Sequence, residues 1–387
     1  MRILVLTKRQ YMGMDLLDDR FGRFRELPLG LARWGHDVAG VALSYRPRHE
    51  GVLNDADTTG NSAVTWHSIN LGSLIKPRLA RFAALTLDIA KAFRPDLIWA
   101  CSDAFHAIFG TWLANKLGTP CVVDLYDNFE SFKATWMPGV LPLFKRAVRR
   151  AHGITCVSRT LADHVAHGYA YDGRTLILTN STRADLFLPR DRTQCRKELG
   201  LPEGALIVGT AGALEKSRGV NTLFRAFASL GKKYPTLRLA LAGPRRRFGS
   251  LPTGPMVHDF GTLRLDKVPM LLNALDVAVV CNRNSAFGRY CFPQKAYEII
   301  ACRVPMIAAG VGSMKDLLAE YPLCLYEPQS TASLAAALER QLKEKTVVNI
   351  AAPSWTDSAK LLEAFFHDLL EPSAKTTRVI PVAPAFE

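Results

Sequence analysis

The sequence lacks any Cys-x-x-Cys pair, although it holds eight cysteines in 387 residues. They are scattered at positions 101, 121, 156, 195, 281, 291, 302 and 324, several inside apolar runs such as 120–123 and 154–157. A disulfide framework and a zinc ribbon are both disfavoured, and buried reduced thiols are expected. Long hydrophobic runs are missing too. None approaches the roughly 20 apolar residues of a spanning helix, and the apolar opening at 1–7 is too short for the core of a secretory signal. The expected location is cytoplasmic, with peripheral contact to the inner face of the cytoplasmic membrane left open. After the first expected strand comes Lys8-Arg9-Gln10-Tyr11-Met12-Gly13, which lacks G-x-G-x-x-G and so disfavours a nicotinamide dehydrogenase. No solenoid repeat or low-complexity tract occurs. Acidic residues are in deficit, 35 Asp and Glu against 49 Lys and Arg, giving a net charge of +14. That excess suits an anionic partner: nucleic acid, a phosphorylated ligand or an acidic membrane surface.

What is present is globular. Hydrophobic residues make up 48% and charged residues 22%, and the length favours two domains. Short apolar, β-branched runs at 2–7, 36–43, 97–100, 121–125 and 154–157 read as buried parallel strands. Helical periodicity falls between them, at 24–34, 77–93, 107–117 and 141–151. The alternation then restarts, with strands at 206–211, 237–242, 277–280 and 306–309. Helices are expected at 222–230, 267–274, 296–301, 314–320 and 333–344. Two doubly wound α/β units follow from this pattern. Expected boundaries are 1–189, 190–353, a last helix within 354–371, and a loosely ordered tail at 372–387. The polar stretch 189–203 reads as the linker.

Ligands of open α/β sheets bind beyond the carboxyl ends of the strands. After the 206–211 strand comes Gly212-Ala213-Leu214-Glu215-Lys216-Ser217-Arg218-Gly219, opening a helix. Glycine lets backbone approach a ligand, and two cations suit a diphosphate at a helix start. A solvated loop with incidental charge fits that segment equally well. Further on, Pro293 and Lys295 stand at a helix start with Glu298 one turn later, where its carboxylate could accept both ribose hydroxyls. An exposed i,i+3 ion pair is the plainer reading of Lys295 and Glu298.

The order of motifs narrows the choice. Pro293-x-Lys295-x-x-Glu298 followed by Cys302-x-x-Pro305 resembles the donor signature of GT-B glycosyltransferases, in the P-x-K-x-x-E variant of the retaining family 4. Gly35-His36-Asp37-Val38, Arg94-Pro95-Asp96-Leu97-Ile98, Ile154-Thr155-Cys156-Val157-Ser158 and Asn180 through Asp185-Leu186-Phe187-Leu188-Pro189 resemble further landmarks of that family, in its order. Trp355 resembles the start of its returning C-terminal segment. The resemblance implies two Rossmann-like domains facing a central cleft, with a C-terminal helix crossing back to the N-terminal domain. It implies a nucleotide-sugar donor on the second domain and a saccharide or lipid-linked acceptor on the first, with no metal cofactor. Donor contacts would come from Gly13, Gly212, Lys216, Arg218, Gly219, Gly243, Pro293, Lys295 and Glu298. The chain departs from the family at Ala213, usually arginine, and at Tyr290, usually glutamate. The first departure shifts diphosphate binding onto Lys216 and Arg218.

In the first half, Asp103, His106, Asp127 and Glu130 follow strands and are the acceptor-orienting or proton-handling candidates. Helix capping explains Asp127 or Asn128 equally well. His36 reads as structural, and Asp55-x-Asp57 as a chance copy of a metal motif in a polar loop. Lys8, Arg9, Arg20, Arg23 and Arg25 could meet a phosphate-bearing acceptor, and Arg245-Arg246-Arg247 a nucleotide or solvent. Aromatic and basic residues alternate over 132–150, as an interfacial helix on an anionic inner leaflet would need. A solvated amphipathic helix is the alternative. The sequence is thus read as a glycosyltransferase of bacterial surface glycan synthesis, of the lipopolysaccharide-core or exopolysaccharide type. Its rivals are a non-catalytic GT-B subunit, a GT-B nucleotide-sugar epimerase and a nucleic-acid-binding protein. No nucleic-acid signature is present.

Overall fold

The structure, a computed structural model, describes residues 1–11, 14–57, 60–71, 75–245, 251–371 and 379–380. The described chain divides into two compact units, one of Met1–Asn180 with residues 355–371 and 379–380, the other of Ser181–Ser354.

The first unit opens with β1 (Arg2–Lys8), β2 (Gln10–Tyr11), β3 (Met14–Asp15), α1 (Arg23–Arg33), β4 (Asp37–Ser44), β5 (Gly51–Ala56) and β6 (Ala63–Asn70). It continues through α2 (Ile75–Phe93), β7 (Leu97–Ala100), α3 (Ala104–Leu117), β8 (Cys121–Leu125) and α4 (Val140–Arg150). Then come β9 (Gly153–Cys156), α5 (Arg159–Gly168) and β10 (Arg174–Ile177). The second unit runs α6 (Arg192–Leu199), β11 (Leu206–Ala211), α7 (Val220–Gly231), β12 (Leu237–Ala242), β13 (Val257–Asp259), α8 (Val268–Ala274) and β14 (Val277–Val280). It ends with α9 (Ala286–Tyr290), α10 (Lys295–Ala301), β15 (Met306–Ala309), α11 (Ser313–Leu317), β16 (Leu325–Tyr326) and α12 (Thr331–Lys343). The chain closes on the first unit with α13 (Trp355–Leu370) and β17 (Val379–Ile380).

Among the described residues the first sheet has the order β17-β10-β9-β8-β7-β1-β4-β6-β5, and the second β13-β12-β11-β14-β15-β16. Among the described residues every strand pair in the two sheets is parallel except β5 with β6. In the first sheet the chain runs outward from β1 to β4 and β6, then crosses to β7 on the other side. In the second it runs from β11 to β12 and β13, then crosses to β14. Each crossover is a topological switch point, where helices leave opposite faces and open a crevice beyond the strand ends.

The central strands bury both faces, as their unbroken apolar runs require; Ile3, Leu4, Val5 and Leu6 are all fully buried. Helix α13 returns to this core. It buries Trp355, Ala359, Leu362, Phe365 and Phe366, a helical spacing that makes one apolar stripe. The stripe lies on α1, and Phe366 meets Trp99 edge-on at 6.0 Å. Gly30 permits the close approach: a Cβ there would stand 2.5 Å from the Ala359 Cβ. Burial of a phenylalanine contributes about 2–3 kcal/mol, so two neighbours fix the helix firmly.

Three expectations need correction. The units divide after Asn180, nine residues before the expected boundary of 189 (189 − 180). Residues 181–190 are already tied into the second unit: Thr182 N donates to Pro353 O at 3.1 Å, and Asn273 bonds both Leu188 O and Arg190 N. The expected linker at 189–203 holds α6 instead. Asp191 caps that helix through Gln194 N, and its Arg196 is buried on Asp276 at 2.7 Å. Asp55 lies in edge strand β5 rather than in a loop, with its carboxylate 2.7 Å from Arg25 Nε. Of the tail, β17 pairs with β10; its remaining residues after 371 lie outside the described ones.

Candidate functional site

The second unit's switch point gathers the sequence's donor candidates. Beyond β11, Gly212 takes a φ of 115°, and beyond β12, Gly243 takes 139°, both conformations that favour glycine. The two turns touch: a Cβ on Gly243 would lie 1.8 Å from Gly212 O. A Cβ on Gly212 would lie 3.0 Å from Lys295 Nζ, so the lysine ammonium sits directly over the glycine turn. Lys295 is the first residue of α10 and reaches Thr210 Oγ1 at a long 3.5 Å. Burial lowers its pKa, and the charge of Arg218 lowers it further against the opposing pull of Cys281 and Glu298. Two cations therefore crowd one small space.

Arg218 ends a single 3-10 turn, Lys216–Arg218, and stacks its guanidinium over the Phe287 ring at 4.0 Å. That contact fixes a long side chain whose charge the ring's π-face accepts. Lys216 is exposed. Gly219 caps α7 with a φ of 75°, and a Cβ there would meet Asn282 O and Arg283 Cγ at 3.1 Å. The start of α7 is thereby pressed against the segment leaving β14. Pro293 precedes the first turn of α10, its carbonyl accepting from Ala296 N. One turn along, burial pushes the Glu298 carboxyl up to about 7, while Gln294 Nε2, 2.9 Å from Oε1, and Lys295 oppose the rise.

The first unit's switch point lies between the ends of β1 and β7. Ser102 holds a φ of 81°, a strained value for a residue with a side chain. Lys8 secures it, its N donating to Ser102 Oγ at 2.8 Å and its Nζ to Ser102 O at 3.1 Å. The same ammonium donates to Tyr126 Oη at 3.2 Å. Asp103 caps α3 through His106 N and lies 2.7 Å from His106 Nδ1, while Tyr45 donates to its other oxygen at 3.1 Å. Burial works to raise the Asp103 pKa, but His106 and Lys8 outweigh it and hold the carboxyl well below the usual range. Lys8 is itself lowered by burial, against the charges of Asp103 and Asp127. Asp127 is buried and accepts from Asn128 N at 2.8 Å.

Asp103, His106 and Asp127 thus share one charged cluster around Lys8. His106 is fully buried beneath Asp103, among Phe82 and Phe105. Glu130 is engaged elsewhere, with Lys145 and His164 both at 2.9 Å. Gly13, Arg246 and Arg247 lie outside the described residues, and Arg245 pairs with Asp259. Of the basic residues near the first loop, Arg9, Arg23 and Arg25 are buried on Asp15, Asp124 and Asp55. They fold the unit rather than await a phosphate. Sequence reasoning passed over Tyr45, Tyr126, Phe287 and Asn282. Phe287 alone carried a signal, as an aromatic just before the donor motif.

Among the described residues no helix is long and apolar enough to cross a membrane. Residues 23–180 match the glycosyl transferase 4-like domain, and residues 191–359 match glycosyl transferases group 1. A D-inositol 3-phosphate glycosyltransferase of Geodermatophilus obscurus is 26% identical over 58% of this chain and 53% of its own. TuaC of Bacillus subtilis, assigned to teichuronic acid biosynthesis, is 25% identical over 65% and 62%. The chain thus spans between half and two thirds of the length of these relatives. Among solved structures, sucrose-phosphate synthase of Thermosynechococcus elongatus superposes with a TM-score of 0.70 at 18% identity, covering 96% of each chain. Anabaena HepE in complex with UDP and glucose gives 0.69 at 19%, covering 95% of this chain and 99% of that one. Ordered motifs, two parallel sheets with their switch points, and family matches over both units agree: the chain has the GT-B fold and belongs to the family 4-like group of glycosyltransferases.

Proposed function

We propose that the protein transfers a sugar, with retention, from a nucleotide-sugar donor to a saccharide or lipid-linked acceptor of a bacterial surface glycan. One observation carries the donor half: Lys295, Arg218 and two touching glycine turns converge on the second switch point beside Glu298. Two crowded cations over a backbone free of side chains suit a diphosphate, and neutralising it stabilises the leaving group without a metal cofactor. Glu298 would take the ribose hydroxyls. HepE, of the same fold, was solved with UDP and glucose, and TuaC is assigned to teichuronic acid biosynthesis; both support this reading.

The first unit would hold the acceptor. Asp103, kept ionised by His106 and Lys8, would accept hydrogen bonds from the attacking hydroxyl's neighbours, with Asp127 close by. Retaining transfer needs positioning and leaving-group stabilisation more than a strong base. His106 would orient Asp103 from below. An inner-leaflet membrane surface fits the exposed face around α4, where Trp136, Met137 and Leu143 are 68%, 64% and 52% exposed. Lys133, Arg146, Arg149 and Arg150 are exposed alongside, the mixture an interfacial segment uses.

Thermal unfolding against a panel of nucleoside diphosphates and nucleotide sugars, without divalent metal, tests the donor site. A ligand that binds only the native state raises the melting temperature, and stabilisation by one base is expected. If no nucleotide shifts the protein while RNA or anionic vesicles do, the donor reading fails.

A further inference from the structure

At the opposite edge of the first sheet lies a cluster that the transfer reaction does not use. His36 follows α1 and the turn at Gly35, whose φ is 83°, and immediately precedes β4. It therefore stands at the amino end of a parallel strand, whereas Asp103 and Asp127 follow the carboxyl ends of β7 and β8. Across from it, Glu363 and His367 lie four residues apart on α13, a spacing that puts both on one helix face. His36 Nε2 is 2.9 Å from Glu363 Oε1, and the two imidazole rings lie 5.9 Å apart. Its Nδ1 is turned to the Met1 nitrogen, 3.2 Å away, which leaves Nε2 as the atom presented to the helix. One donor atom from each of the three residues falls within 4.8 Å of the other two.

The geometry points to a binding site for one divalent transition-metal ion, of the zinc class, held by His36, Glu363 and His367. Two imidazoles and one carboxylate suit zinc, cobalt or nickel; magnesium and calcium prefer all-oxygen sets. Three protein ligands leave a fourth tetrahedral position for water. The ligands are graded in exposure: the His36 side chain is 7% exposed, that of Glu363 22%, and His367 lies at the surface. The ion enters from solvent through the His367 side while His36 anchors it from within. Its physical effect is to clamp α13 to the turn after α1, joining residues 327 positions apart in sequence. It is a structural clamp, separate from the donor diphosphate and supplying nothing to the transfer chemistry.

The test uses the full chain, stripped of metal with a chelator and titrated with Co2+. A tetrahedral site gives visible d–d absorption that saturates at one ion per chain, and Zn2+ displaces the colour. Because His367 is exposed, His367→Ala leaves the fold standing while removing one ligand; it is expected to weaken binding roughly a hundredfold or more, beyond the loss that follows removal of outer-shell partners. Glu363→Gln is expected to act in the same direction. Zn2+ is expected to raise the melting temperature of the wild type and not that of His367→Ala. Absence of the cobalt band, or a band that survives His367→Ala unchanged, overturns the assignment.

Discussion

The two switch points of this protein sit in equivalent places on their sheets, yet they balance charge in opposite ways. In the first unit the ionisable groups satisfy one another: Lys8 meets Ser102 and Tyr126, and Asp103 meets His106 and Tyr45. In the second, the hydrogen bond of the Lys295 ammonium among the described residues is a long one to a threonine hydroxyl, and Arg218 rests on a phenyl ring. One edge is neutralised in advance and the other is left short of negative charge. A pre-satisfied cluster holds a shape, whereas crowded cations hold an affinity, because an arriving anion relieves repulsion already present.

The largest effect is expected from Lys295→Ala. Loss of a charge-assisted contact is expected to weaken nucleotide binding on the order of 10- to 100-fold, measured by calorimetric titration. The ligand-free protein should lose little thermal stability, since burial and Arg218 oppose the ammonium's charge more than Cys281 and Glu298 support it. Stability lost with affinity intact would reverse the assignment.

Asp103→Asn should do the converse. It removes the charge that His106 and Lys8 are arranged around, and about 1–3 kcal/mol of first-unit stability is expected to go with it. Nucleotide affinity should stay unchanged. Because the folded pKa is depressed, the stabilisation is present above the unfolded carboxyl value and fades as pH falls below it. Calorimetric melting at pH 7 and pH 3 reads both parts.

The smallest effect belongs to Glu298. Its folded pKa of about 7 lies above the model-peptide value of 4.5, so the native state binds the extra proton. Stability should decline as pH rises from 4.5 to 7 and level off beyond. Glu298→Gln is expected to remove that slope, gaining a few degrees at pH 8 and nothing at pH 4. A slope that persists in the variant would locate the titration elsewhere.

Much of this was legible in the sequence. The buried parallel strands announced themselves as short β-branched runs because both of their faces are covered. The glycine turns and Lys295 could be placed because they follow strand ends. The β5–β6 hairpin escaped notice: Val52 is 61% exposed, and an edge strand with a solvated face shows no continuous apolar run. Helix α6 was hidden by polarity, since its packing rests on Arg196 and Cys195 rather than on an apolar stripe. Glu130 looked like a site acid because it follows a strand end. Its partners Lys145 and His164 come from α4 and α5, and no local spacing connects the three.

The return of α13 to the first sheet has a consequence for biosynthesis. A ribosome releases the opening strands first, but the stripe of Leu362, Phe365 and Phe366 that closes their core emerges only after the whole second unit has been made. The usual order, in which the amino-terminal domain folds first, is inverted here. The unit begun earliest is completed last, and a chain that stops at residue 354 would carry a finished second unit and a first unit with its core left open to solvent.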